Sequence, residues 1–215
     1  SETIASVFTH LAAAEDPAHD GFTRQQLAGF DEAYARILAM VRSLPSRHVL
    51  NSNGISRFPD RAYEMVRLGI GLYGIGDATR SGELRPALEF LTHITRVYDR
   101  PAGDSIGYGR KGRPSRPSRI AVLPLGYADG LPRLAGESNF SVRIGEHLAP
   151  IIGTVCMDMT TIDVTDLPGH VSAGTEVTIF GPGHSIELLA AAAKTIPYEI
   201  LTGIGSRVHR IYSQD

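Results

Sequence analysis

The grain of the sequence changes near Gly82, and that change limits what the chain can fold into. Ahead of it, short β-rich runs alternate with a helical stripe. Residues 4–10 suit a buried parallel strand. A polar loop with Pro17 and Gly21 follows, and Thr23 with Gln26 three residues on has the spacing of a capping box. Leu27, Phe30, Tyr34, Ile37 or Leu38, and Val41 then recur at helical spacing until Pro45 stops the helix. Residues 47–52 read as a second strand, 59–64 as a short helix and 65–70 as a third strand. Such alternation calls for right-handed crossovers and a parallel sheet or barrel. Three or four strands cannot close an eight-stranded barrel. Residues 1–82 are therefore expected to form the C-terminal half of a (β/α)8 barrel, incomplete by themselves.

Beyond Gly82 the strong segments are short, rich in Val, Ile and Thr, and separated by Gly or Pro turns. They cover residues 88–98, 118–125, 139–144, 154–164 and 176–180. That texture predicts a mostly antiparallel β-domain over residues 83–215, so the fold class is α/β plus β. One helix interrupts it at 186–194, a helical turn surrounds Tyr198, and a last strand is expected at 207–212.

A net charge of −2 and a pI of about 6.4 leave no electrostatic footprint for nucleic acid or an anionic membrane. No apolar run approaches the ~20 residues of a membrane span. The single cysteine, Cys156, fits a reducing compartment, so a cytoplasmic protein is expected. Nothing at the start resembles a signal peptide, and Ser1 is not an initiator, which leaves room for sequence upstream. The basic stretch 110–119 has no interleaved aromatic residue for base stacking and reads as a solvated loop. Asp16, His19 and Asp20 share a loop in which no further ligand converges, so no metal is expected.

The chemistry-bearing segments are Gly107-Tyr108-Gly109, PLGYADGLPR at 124–133, GTVCMD at 153–158, PYE at 197–199 and RVHRIY at 207–212. In this order they resemble the C-terminal portion of alanine racemases, enzymes that use pyridoxal 5'-phosphate. Racemisation removes a proton from one face of a planar carbanion and returns it to the other, so two bases must flank the substrate. The resemblance implies that Tyr108 is one base and a cofactor-bearing lysine the other. A free phenol ionises near pH ~10, so a tyrosine base needs helpful neighbours. The local reading of Tyr108 is a turn residue between two glycines.

The resemblance further implies that Ser52, the amides of Gly69 and Ile70, and the Tyr198 hydroxyl hold the cofactor phosphate. Arg67 would face the pyridine nitrogen, and since arginine keeps its proton, that nitrogen would stay unprotonated. His10 would pack against the ring. Met157, through its backbone N–H, and Asp158 would lie at the substrate carboxylate, and Tyr127 and Arg133 would line the access channel. Many members carry an arginine two residues before the cysteine, where this chain has Thr154. Four residues also have a bland reading: a turn hydroxyl for Ser52, a salt bridge to a carboxylate for Arg67, a structural strand-end ring for His10, a buried inert thiol for Cys156.

The lysine-bearing segment of the family, of the form VKANAYGH, does not occur here. The two lysines, Lys111 and Lys194, lie in a basic loop and an Ala-rich helix. The chain looks like a racemase without its first half and is expected to be inactive alone. Its wording near residues 22–26 and 67–74 is closest to racemases fused to a cell-wall ligase. The resemblance implies a homodimer whose sites are shared between subunits and whose substrate is alanine. The competing readings are a racemase of serine or a basic amino acid, and a folded interaction module without activity that forms the dimer.

Overall fold

The structure is a computed structural model that describes residues 3–76, 84–138 and 140–213. The texture change at Gly82 and the expected strand start at Asn139 lie outside them. The chain divides into two compact units, residues 1–87 and 88–215. Among the described residues no helix is long and apolar enough to cross a membrane.

In the first unit, β1 (Ser6–Phe8) and β2 (Ser46–His48) pair in parallel, Ser6 opposite Ser46 and Phe8 opposite His48, with α1 (Asp20–Leu38) as the crossover. The first strand is shorter than its β-rich run and is not buried: Phe8 is 63% exposed. Thr23 does not cap α1. The helix starts earlier, after a 3-10 turn at Pro17–His19 whose first amides are served by Asp16, which accepts from Ala18 N at 2.9 Å. Thr23 is instead buried within α1, and Gln26 folds back to donate to the His10 carbonyl at 2.6 Å. The helical stripe does form the core. Leu27 and Phe30 pack with Leu11, Ala14, Val49, Leu50 and Phe58, and Tyr34 is buried beside them. The helix stops at Leu38, which is exposed, well short of Pro45.

The second predicted strand ends at His48, because Asn51 turns the chain into α2 (Ser52–Arg57) by accepting from Gly54 N at 2.9 Å. Residues 59–64 contain only a 3-10 turn, Pro59–Arg61. Residues 65–70 are not a strand. They follow β2 through two backbone bonds, Met65 N to Arg47 O at 3.2 Å and Arg67 N to Leu50 O at 2.9 Å, then enter a 3-10 turn at Ile70–Tyr73.

Arg47 ties this unit together. Its guanidinium stacks over the rings of Tyr34 and Tyr63 at 4.9 and 4.4 Å and grips both Glu64 oxygens, at 3.0 and 2.5 Å. The side-chain bonds from Arg47, joined by its backbone amide, pull the Glu64 carboxyl down to about 2. A carboxylate lowered in this way stabilises the fold fully above the ordinary 4.5, and that contribution is lost as pH falls toward 2. An NMR titration of Glu64 should therefore show a midpoint near 2, and Glu64→Gln should flatten the acid limb of stability. A Glu64 midpoint in the usual carboxylate range would show that solvent loosens the pair.

The second unit holds two antiparallel sheets. One runs β3 (Phe90–His93), β9 (Glu176–Phe180), β6 (Ser141–Ile144), β7 (His147–Pro150); the other runs β4 (Arg96–Arg100), β5 (Ser118–Leu123), β8 (Thr160–Asp163). The run 88–98 is thus split between sheets at the buried Ile94, and 154–164 is strand only at its end. Helix α3 (Ile186–Ala192) stops short of Lys194, α4 (Pro197–Gly203) carries Tyr198, and residues 207–212 form no strand. In the basic stretch, Lys111 pairs with Glu137 and Arg116 with Asp166, so acidic neighbours take up part of its charge.

Candidate active site

Tyr108 stands on a loop closed by an Ile106–Gly112 bridge. Gly107 and Gly109 both adopt left-handed backbone, at φ 73° and 67°, which an L side chain would strain. This folding presses the loop against the 153–154 backbone: a Cβ on Gly112 would come within 2.9 Å of Gly153 N. It leaves the Tyr108 ring 75% exposed, while the buried Thr154 hydroxyl donates to the Tyr108 carbonyl at 3.4 Å.

Facing Tyr108 is the 156–159 turn, closed by a bond from Cys156 N to Met159 O at 3.0 Å. A second segment laces to it: Tyr127 N donates to Cys156 O at 3.0 Å and Ala128 N to Met157 O at 3.1 Å. The result is an open depression of about 660 Å³ whose walls include Tyr108, Tyr127, Arg133, Thr154, Met157 and Asp158. Every β-unit residue singled out from sequence except Tyr198 is there. Tyr198 is on α4, half exposed. Cys156 also lines the depression and is only half-buried, contrary to its reading as a buried thiol; its thiol donates to Thr154 O at 3.4 Å.

Two residues lie in the segments 124–133 and 207–212 but had no role of their own from sequence. Arg207 bonds Asp129 Oδ1 through Nε and Asp158 Oδ1 through Nη2, both at 2.6 Å. Asp129 also accepts from Gly126 N at 2.8 Å. Burial alone would push the Asp129 carboxyl up, but the Arg207 guanidinium and the Gly126 amide outweigh it and hold it below the usual range. These partners lie 78 and 49 residues from Arg207 along the chain, so no local pattern marks them.

The first unit gathers its own set. Ser52 Oγ accepts from Gly69 N at 3.0 Å and Gly71 N at 3.2 Å, which leaves the hydroxyl proton to donate outward. A Cβ at Gly71 would come within 2.8 Å of Leu68 Cδ1, the end of an exposed side chain that would have to swing aside. Ile70 is buried and opens the 3-10 turn. Arg67 donates to the carbonyls of His48 at 2.6 Å, Thr9 at 2.9 Å and Val49 at 3.2 Å. No carboxylate pairs with it among the described residues, so the expected salt bridge is replaced by a carbonyl cage. Burial pushes its guanidinium down from the usual arginine value. His10 is exposed, with Nδ1 at 3.4 Å from Arg67 Nη2. Among the described residues no cluster of three acidic, His or Cys side chains could hold a metal. Asp16 caps a turn and Asp20 pairs with Arg57.

Residues 87–212 match the family description "Alanine racemase, C-terminal domain", and residues 2–77 match "Alanine racemase, N-terminal domain". The chain belongs to the alanine racemase family, and its fold is the later part of that family's barrel followed by its β-domain. It is 38% identical over 216 residues to alanine racemase 2 of Caldanaerobacter subterraneus subsp. tengcongensis, covering 97% of this chain and 55% of that protein. It is 39% identical over 217 residues to the alanine racemase of Symbiobacterium thermophilum, covering 97% and 56%. Among solved structures, the alanine racemase of D-cycloserine-producing Streptomyces lavendulae superposes with a TM-score of 0.89 at 32% identity, over 97% of this chain and 56% of that one. The Bartonella henselae alanine racemase, solved with covalently bound pyridoxal phosphate, gives 0.86 at 33% identity, over 98% and 57%. The chain spans about half the length of the curated relatives it matches. A ligase half enters none of these names, so the expected likeness to ligase-fused racemases finds no support in them.

Proposed function

We propose that the protein containing this chain interconverts L- and D-alanine with pyridoxal 5'-phosphate, as a cytoplasmic homodimer with shared sites that supplies D-alanine for peptidoglycan. The observation that carries this reading is Tyr108, held out on its glycine turn into the same depression as Met157 in a chain of this family.

The residues present fit the cofactor. Ser52, with its hydroxyl proton free to donate, suits a phosphate, whose oxygens want N–H and O–H donors, while the Gly69 amide that the resemblance gave to the phosphate donates to Ser52 Oγ and serves by holding that hydroxyl in place. The Ile70 amide and the Tyr198 hydroxyl are assigned to the same phosphate by resemblance. Arg67, fixed by three carbonyls, would present a permanent cation to the pyridine nitrogen, and His10 beside it would cover the ring. When bound, the cofactor supplies an electron sink for the α-carbanion. Tyr108 takes or returns the α-proton at its phenol oxygen. Met157 N–H orients the substrate carboxylate, and Tyr127 and Arg133 line the way in. Lys111 is engaged with Glu137, and Lys194 follows α3 at φ 56°. The covalent lysine is assigned to a part of the polypeptide outside these residues.

The test is turnover by the full-length protein with alanine, serine and arginine in parallel, alongside the 215-residue chain alone. Alanine should win by about tenfold or more in kcat/KM, the margin that about 1.4 kcal/mol of transition-state discrimination gives. The isolated chain should be silent. A preference for serine or arginine moves the reading to the related racemases, and no racemisation by the full-length protein leaves the interaction module. Sedimentation of the same preparation should give a dimer.

A further inference from the structure

We propose that Arg207 is a positioning residue of this site: it clamps Asp158, and through it the substrate-facing 156–159 turn, so that Asp158 acts through Arg207 and not on the substrate. The proposal rests on the racemase reading and alters the role that the resemblance gives to Asp158.

The bonds form a closed circuit. Arg207 Nη2 holds Asp158 Oδ1 and Arg207 Nε holds Asp129 Oδ1, each at 2.6 Å. Asp129 Oδ2 accepts from Gly126 N at 2.8 Å. From Gly126 the chain passes at once to Tyr127 and Ala128, whose amides hold the carbonyls of Cys156 and Met157 at 3.0 and 3.1 Å. Asp158 follows and closes the loop. The two pairs differ in burial. Asp129 is 12% exposed at its side chain and Asp158 56%, so Asp129 is the anchor and Asp158 the end being restrained.

The chemistry needs arginine. A planar guanidinium spans two carboxylates in fixed directions, whereas an ammonium is a single point charge. A carboxylate already engaged by a charge-assisted bond has little reason to seek the substrate ammonium. What Asp158 contributes is the placement of the Met157 peptide one residue away.

The experiment uses the full-length holoenzyme with Arg207→Gln, Arg207→Lys, Asp158→Asn and the Arg207→Gln/Asp158→Asn pair. Arg207→Gln should raise KM for alanine about tenfold and change kcat by less than about twofold, the mark of binding lost equally from the ground and transition states. Asp158→Asn should do nearly the same, and the pair should be no worse than the worse single change. Arg207→Lys should recover KM only in part. Amide hydrogen exchange at Tyr127 and Ala128 should quicken about tenfold in both single variants lacking the clamp. Asp158→Asn keeps the side-chain volume, so it decides the matter even if Arg207→Gln folds poorly. Effects on KM that multiply would mean that Asp158 touches substrate itself and would overturn the proposal. Unchanged KM and unchanged exchange would overturn it as well. If the parent protein racemised no alanine, amide exchange would still read the clamp, upheld by faster exchange and overturned by none.

Discussion

Replacing Tyr108 by phenylalanine in the full-length protein is expected to lower alanine racemisation by about two to four orders of magnitude, the usual contribution of a positioned acid–base group. The loss should come with almost no change in stability. The Tyr108 ring is 75% exposed, so removing its hydroxyl vacates no core space and orphans no buried donor. Such surface changes usually stay within about 0.5 kcal/mol. The turn that carries it depends on Gly107 and Gly109 and on Thr154 holding the Tyr108 carbonyl, none of which involves the phenol. The asymmetry is the sharper test. With the phenol gone, one face of the substrate keeps its base and the other has none. In deuterated water one enantiomer should then exchange its α-proton far faster than the other, while interconversion stalls. Equal exchange from both enantiomers, with turnover near normal, would remove Tyr108 from the reaction.

Sequence made the site of the second unit legible because its residues lie in compact segments that the fold brings side by side. The segments 124–133 and 153–158 meet through two backbone bonds, and the glycines on either side of Tyr108 mark a turn by their identity alone. The run 176–180 became β9 residue for residue, because Val, Thr, Ile and Phe there are buried on both faces and need no alternation. Elsewhere local pattern misled. Residues 207–212 look like a strand, yet among the described residues none forms a ladder with them, and Arg207 spends its side chain on two carboxylates instead. Thr23 and Gln26 have capping-box spacing, but the Asp16–Pro17 turn begins the helical path earlier, and burial of Thr23 decides the outcome. The partners of Arg67 were out of reach for another reason. Three carbonyls, contributed by residues on either side of α1, leave no mark on side-chain identity.

Gly126→Ala should be the most damaging single methyl in the second unit, costing about 3 kcal/mol by overpacking. An added Cβ would lie 2.2 Å from Cys156 O, 2.3 Å from Met157 O and 2.5 Å from Met157 C. All three are backbone atoms, so no rotamer change can make room. The two segments are also laced by the Tyr127 and Ala128 amide bonds, and Gly126 N is itself held by the buried Asp129. Relief therefore requires the 156–159 turn to move away, which breaks those bonds and displaces Met157 and Asp158 from the depression facing Tyr108. Activity should fall along with stability. Gly29→Ala provides the opposite case within the same chain. Gly29 lies inside α1, exposed, with nothing within 4 Å of an added methyl, and alanine there should stabilise by about 0.5–1 kcal/mol. Thermal or denaturant melts of the two variants against the parent read both signs. A Gly126→Ala protein that melted with the parent and kept its activity would mean that the 126–130 and 156–159 segments are not in the close backbone contact on which the geometry of this site depends.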